Sequence, residues 1–264
     1  MEKKISIVMA YYNRKEQIIF TLETIKNSVH KNIEIIIIDD VSDKDQQLDD
    51  IVENDPFIKY IKLDKKISIN PCKLYNMGFK QATGDIIIIQ NPECCHIGDI
   101  IKYTVDNLKL NQYFSFSCAN LPNINQNHIL YGLYEDNESK KDVLNFINSF
   151  AIATYETILW YNHPIHRPVG FHFLSAINKS DLDKLNGFDE RYSLGSGYDD
   201  NELVERIMHS NMEFKFINTD DSFAIHQWHA KSKTLINLEL VNKNRLVFNE
   251  HMRELGINKK YDCI

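Results

Sequence analysis

Ile5-Ser6-Ile7-Val8-Met9-Ala10-Tyr11-Tyr12-Asn13-Arg14, residues 5–14, runs from an apolar strand-like stretch straight into a polar turn. Residues 15–29 are amphipathic: Asn13 can cap a helix with Glu16 three positions on, and Ile18, Ile19, Leu22, Ile25 and Val29 recur at helical spacing. Farther along, Ile33 to Ile38 reads as a second strand and Phe57 to Leu63 as a third. A helix from about Cys72 to Ala82 and a fourth strand at Asp85 to Ile89 complete a β-α-β-α-β-α-β order. Apolar strands alternating with helices build an α/β, mainly parallel central sheet covered on both faces. Ligands bind such sheets at the strands' carboxyl ends. Here those ends are Tyr11-Tyr12-Asn13-Arg14, Asp39-Asp40 and Gln90-Asn91-Pro92-Glu93, which are expected to face one cleft.

The remainder is plainer. Residues 120–141, rich in Asn, Gln and acids, read as a loop or irregular insertion. Phe171 to Ile177 reads as a strand, while Ser180 to Leu185 and Asp199 to Met208 read as helices. Leu235 to Glu254 reads as a terminal helix on the outside, or one that mediates contacts such as an oligomer interface. With 43% hydrophobic and 25% charged residues in 264, the composition is that of a folded globular chain. A net charge of -7 argues against nucleic-acid binding. No apolar run approaches the roughly 20 residues of a transmembrane segment, and no secretory leader is recognised, so a cytoplasmic location is expected. Cys72, Cys94, Cys95, Cys118 and Cys263 form no CxxC pair and read as reduced, small packing residues.

The first strand-to-helix turn lacks glycine, which removes the G-x-G-x-x-G fingerprint of dinucleotide enzymes; no P-loop occurs, and the glycine-rich loop of sugar nucleotidyltransferases is missing. The informative segments are residues 6–14, then Glu34-Ile35-Ile36-Ile37-Ile38-Asp39-Asp40-Val41-Ser42, then Asn76-Met77-Gly78-Phe79-Lys80-Gln81-Ala82-Thr83-Gly84-Asp85. In that order and spacing they resemble the nucleotide-binding half of the GT-A glycosyltransferases, specifically family 2. The resemblance extends nearly to Trp228. It implies a GT-A fold over 1–230, with a nucleotide-sugar-binding half at 1–95, an acceptor and catalytic half at 96–230, and a helical extension at 231–264. It implies that Ala10, Tyr11, Asn13 and Asp39 or Asp40 hold the donor's base and ribose; a carboxylate there can accept from a uracil-type N–H or a ribose hydroxyl. Lys73, Asn76 and Asn91 join them as donor-side candidates.

Family members carry an Asp-x-Asp after the fourth strand that binds a divalent cation bridging the donor's phosphates. This chain has Asn91-Pro92-Glu93 instead, which keeps one carboxylate and one neutral oxygen. Glu93 is thus the leading metal ligand, and Ile225-His226-Gln227-Trp228-His229 resembles the segment that supplies a late histidine ligand. Either His226 or His229 can serve, and imidazole favours Mn²⁺ over Mg²⁺.

Gly187-Phe188-Asp189-Glu190 followed by Gly195-Ser196-Gly197-Tyr198-Asp199-Asp200-Asn201-Glu202-Leu203 resembles the family's G-G-F-D-E and G-x-x-E-D-x-D-L patterns, with Asp199 in place of Glu. By motif position Asp200 is the general base that an inverting transfer needs beside the acceptor hydroxyl, although adjacent Asp199 can exchange roles with it. Asp199, Glu202, Trp160 and His172 are the acceptor-side candidates. The resulting expectation is a metal-dependent inverting transferase that moves a sugar from a nucleoside diphosphate sugar, UDP-linked, to a glycan or other hydroxyl acceptor. The alternatives are a catalytically inactive nucleotide-sugar-binding relic of the same fold, or a pyrophosphorylase.

Overall fold

The structure is a computed structural model and describes residues 2–135, 142–143, 145–146, 160–219, 222–230 and 237–260. The chain begins β1 (Ile5–Tyr11), α1 (Lys15–Lys26), β2 (Ile33–Asp39), a single-turn α2 (Asp49–Val52), β3 (Ile58–Lys62), α3 (Cys72–Gln81) and β4 (Ile86–Gln90). It continues through β5 (Cys94–Gly98), α4 (Ile100–Asn107), β6 (Gln112–Phe116), β7 (Cys118–Asn120), α5 (Ile124–Glu135), β8 (Trp160–Asn162) and β9 (Leu174–Asn178). After α6 (Lys179–Leu185), a 3-10 strap at Glu190–Leu194, α7 (Asp199–Met208), β10 (Glu213–Ile217) and β11 (Ser222–His226), it closes with α8 (Leu238–Glu254).

Seven strands form the central sheet in the order β10-β6-β9-β4-β1-β2-β3, parallel except for β9, which runs antiparallel between β4 and β6. The isoleucine runs are continuous because both faces of the sheet are covered. Ile35 and Ile37 pack with Ile18, Leu22 and Ile25 of α1, whereas Ile36 and Ile38 pack with Leu74 and Phe79 of α3 and Leu203 of α7. Gly78 lets α3 lie close against β1, since a Cβ there would stand 2.3 Å from Val8 Cγ1. A second sheet, β5-β11-β7-β8, covers a third core around Phe20, Leu130 and Ile225.

Several expectations change. Asn13 does not cap α1: it sits at φ 48 and its amide exchanges two hydrogen bonds with Asp43, so Arg14 is the cap residue. The segment expected to be irregular contains α5. Its amides serve as fixed partners, with Asn127 fully buried and bonded to both the N–H and the carbonyl of Trp228, and Leu130 in the third core. The terminal helix is not merely external: α8 buries Phe248 and Met252 in the core, and Asn244 Nδ2 donates to the carbonyls of Tyr192 and Gly197. Cys72, Cys94, Cys95 and Cys118 are buried free thiols, and Cys263 lies outside the described residues. Among the described residues no helix is long and apolar enough to cross a membrane.

Candidate active site

Antiparallel pairing of β5 with β11 sets Cys94 opposite His226, so Glu93, just before β5, meets the histidines at the end of β11. Gln227 locks the join: its N–H donates to the Glu93 carbonyl at 3.0 Å, and its amide donates to Gln17 O, Thr21 Oγ1 and Glu93 O. Glu93 Oε1 lies 3.2 Å from His226 Nε2 and 3.4 Å from His229 Nε2. Burial works against the charge on Glu93, but hydrogen bonds from the two imidazoles hold its carboxyl well below the usual range. Burial also lowers His226, only partly offset by Glu93, which keeps its ring neutral with a lone pair available. His226 Nδ1 is buried without a hydrogen-bond partner. One carboxylate oxygen and two imidazole nitrogens, all within 4.8 Å of one another, are a donor set suited to Mn²⁺ and acceptable to Mg²⁺.

The residues expected on the donor side gather where β1 and β2 end in register, Tyr11 opposite Asp39. Asp39 is taken up by the fold: its carboxylate accepts from Ser42 N at 2.8 Å and from the Tyr60 hydroxyl, and only 1% of the residue is exposed. Asp40 differs, because its Oδ1 is buried and unpartnered while Lys66 Nζ stands 3.9 Å from Oδ2. Burial raises the Asp40 carboxyl, with Lys66 opposing. Lys66 Nζ also lies 3.4 Å over the ring of Tyr12, which is exposed. Of the two, Asp40 is the one that keeps a carboxylate oxygen without a partner.

On the opposite side, Gly197 and Tyr198 both adopt positive φ, 67 and 68, turning the chain into α7 so that Asp199 and Asp200 occupy its first turn, where the helix dipole favours anions. Asp199 is buried and accepts from Asn70 Nδ2 at 2.6 Å. Desolvation, reinforced by Asp200, pushes its carboxyl up to about 6. Asp200 keeps 22% of its side chain exposed, and its Oδ1 receives the His172 backbone N–H at 3.1 Å and the His172 ring at Nδ1. His172 is buried, which disfavours its charge, yet Asp200, together with Asp199 and Glu93, more than offsets this and raises it. Tyr75 stands between the two clusters. Its hydroxyl reaches Gln90 O and Asn91 Oδ1, at 3.1 and 3.0 Å, and its ring meets His172 edge-on at 4.8 Å.

Several other expected site residues are engaged within the fold. Tyr11 is fully buried, its hydroxyl donating to Gln46 O and its carbonyl accepting from Asp40 N. The amide of Asn13 is consumed by Asp43. Asn76 welds α3 to the Gly187-Phe188 turn, accepting from Phe188 N and donating to Phe188 O and Glu190. Glu202 is fully buried against Arg206, with His251 3.2 Å away. Trp160 packs into the third core, its ring 4.4 Å from His163, rather than joining the acid pair. Ala10 is half-buried at the end of β1, and Lys73 is half-exposed on the first turn of α3. A cavity of about 660 Å³ lined by Phe79, Lys80, Lys179, Arg206 and His251 includes none of Glu93, His226, Asp199 or Asp200. Reading by residue type missed Arg14, whose charge reaches His226, and Asn70, which holds Asp199. Arg14 was legible as a cation at a strand's carboxyl end; Asn70 and Lys66 carry no local signal.

Residues 6–185 match glycosyl transferase family 2, and residues 161–229 match the N-terminal domain of galactosyltransferase. An uncharacterized glycosyltransferase of Rickettsia felis is 31% identical over 126 residues, 47% of this chain and 20% of that protein. The amylovoran biosynthesis glycosyltransferase AmsB of Erwinia amylovora is 32% identical over 84 residues, 31% of this chain and 28% of that one. The chain thus spans well under half the length of these relatives. The mannosyltransferase PcManGT of Pyrobaculum calidifontis, solved with GDP-Man and Mn²⁺, superposes with a TM-score of 0.60 at 13% identity, covering 99% of this chain and 66% of its own. TarS of S. aureus with UDP-GlcNAc gives 0.60 at 12% identity, covering 98% and 68%. At such identity these two show the shared GT-A architecture, while the match over residues 6–185 spans more than half of the sequence, and the chain belongs to glycosyl transferase family 2.

Proposed function

We propose that this chain transfers a sugar from a nucleoside diphosphate sugar to a hydroxyl of a glycan acceptor with inversion at the anomeric carbon. The observation that carries the reading is the pairing of two clusters across Tyr75: Glu93–His226–His229 on one side and Asp200, held by His172, on the other. Asp200 takes the proton from the acceptor hydroxyl as its oxygen forms the new bond to the anomeric carbon and the bond to the diphosphate breaks. Glu93, His226 and His229 would hold a divalent cation, which when bound neutralises charge on the departing diphosphate. Arg14 adds a second positive charge on that side. The unpartnered Asp40 Oδ1 suits the ring N–H of uracil, so UDP is the proposed carrier. The three-ligand set favours manganese. TarS was solved with UDP-GlcNAc, and AmsB is named for amylovoran biosynthesis, which supports a UDP-sugar and a polysaccharide acceptor.

A second reading, an inactive nucleotide-sugar-binding relic, draws on Asn91: its Oδ1 accepts from Tyr75, leaving Glu93 as the one carboxylate of that turn. A thermal-shift screen of UDP- and GDP-sugars with Mn²⁺, followed by measurement of nucleoside diphosphate release, separates the two. Transfer calls for release that Asp200→Asn reduces by roughly 10²–10⁴ without weakening donor binding. Metal-dependent binding with no release from any donor would favour the relic, and full turnover in Asp200→Asn would remove Asp200 as the base.

A further inference from the structure

His172 and Asp200 are joined through two donors of one residue, the backbone N–H and ring Nδ1, and both bind the same oxygen, Oδ1. A carboxylate at the start of a helix with only one contact can rotate about its χ angles; two donors from a rigid neighbour fix its plane. His172 is rigid for clear reasons. Its ring is wedged edge-on between Tyr75, at 4.8 Å, and Phe188, at 5.0 Å, and only 5% of the residue is exposed. The approach to it depends on Gly170, which sits at φ +70 with its N–H on Asn162 Oδ1 at 2.9 Å and where a Cβ would stand 2.5 Å from Phe214 Cζ. The next residue, Phe173, gives its carbonyl to Asn91 N at 3.1 Å. Residues 172 and 173 therefore tie the turn before Glu93 to the acid pair on α7.

Resting on the reading of Asp200 as the base, we propose that His172 is a positioning residue: it binds no substrate, but clamps Asp200 Oδ1 so that Oδ2 faces the incoming hydroxyl. The ionisable groups that face it are Asp199 and Asp200 from α7, Glu93 from the β4–β5 turn and the Tyr75 hydroxyl from α3. Three of these four are carboxylates, an environment that suits a protonated ring donating through Nδ1.

The geometry separates two amide replacements. His172→Asn puts an N–H near the place of Nδ1, whereas His172→Gln, one methylene longer, puts it near the place of Nε2. With the UDP-sugar that gives nucleoside diphosphate release in Mn²⁺, His172→Ala and His172→Gln should lower kcat by roughly ten- to a hundredfold, the scale of a misplaced catalytic group. Donor KM should stay within about twofold, and His172→Asn should recover most of the loss. Equal loss in the Asn and Gln variants, or an effect confined to acceptor KM, would overturn positioning while leaving Asp200 intact as the base. Turnover surviving in Asp200→Asn would instead remove the base reading itself. A donor-independent check is the ¹⁵N resonance of the His172 ring in metal-free protein. Its titration midpoint should lie above the ordinary histidine value and fall in Asp200→Asn; an ordinary midpoint in the wild type would refute the clamp even if no donor turns over.

Discussion

Asp199→Asn should make the protein more stable, and increasingly so as pH rises. Asp199 is 4% exposed, next to Asp200, with Asn70 Nδ2 as its one described side-chain donor. Burial and the neighbouring carboxylate raise it from 3.8 to about 6. A folded value above the unfolded one means that its favourable contribution is complete below about pH 3.8 and is lost as pH rises through about 6. At roughly 1.4 kcal/mol per pH unit, holding it ionised costs on the order of 3 kcal/mol at pH 8, and the cost shrinks towards zero as pH falls below about 6 and the buried carboxyl takes up its proton. Asparagine avoids that cost and its amide oxygen can still accept from Asn70. His172 is raised too, in part by Asp199, so its contribution, full below about 6.5 and fading through its own folded value, is smaller in the variant; this trims the variant's advantage at acid pH and keeps the growth with rising pH. Thermal unfolding of metal-free protein between pH 4 and 8 should show the variant's advantage growing to roughly 6–12 °C at pH 8, at about 2–4 °C per kcal/mol. An advantage that is flat across pH, or a variant less stable at pH 8, would refute the claim that an ionised, desolvated carboxylate is carried here. Such a cost is what a group retained for function rather than stability would show.

Glu93→Gln should remove Mn²⁺-dependent stabilisation. Saturating metal at a hundred times its dissociation constant adds about 2.7 kcal/mol to the wild type, seen as a melting shift absent from the variant; an equal shift in both would dismiss Glu93 as a ligand. Glu202→Ala should lower stability by about 3 kcal/mol, because it breaks the pair between the fully buried Glu202 and Arg206, whose side chain is 15% exposed and keeps only its carbonyl acceptors, while leaving acceptor KM unchanged in molecules that remain folded. A selective rise in acceptor KM with normal stability would restore Glu202 to the acceptor side.

The isoleucine runs at residues 35–38 and 86–89 disclosed two-sided burial, since four consecutive apolar residues on a strand need cover on both faces. The start of α7 was equally legible, because its acids follow a glycine-bearing turn within ten residues. By contrast, β5, β6, β7 and β10 were not read as strands: they are three to five residues long, and pairing with distant partners decides them rather than local periodicity. The amide-rich α5 was missed because Asn127 looks like a loop former until Trp228 supplies both of its partners.

The alternating α/β order, the polar strand ends and the acidic turn are set by local periodicity and residue chemistry, and so could be read along the chain. Which polar groups remain available is settled by folding. Asp39, Asn13 and Asn76 are engaged by partners up to 114 residues away and Glu202 by the next turn of its own helix, whereas Asp40, Asp200 and the Glu93 triad keep capacity to spare. Hydrogen-bonding capacity is finite, and whether a side chain has spent it within the fold depends on neighbours brought together only in three dimensions.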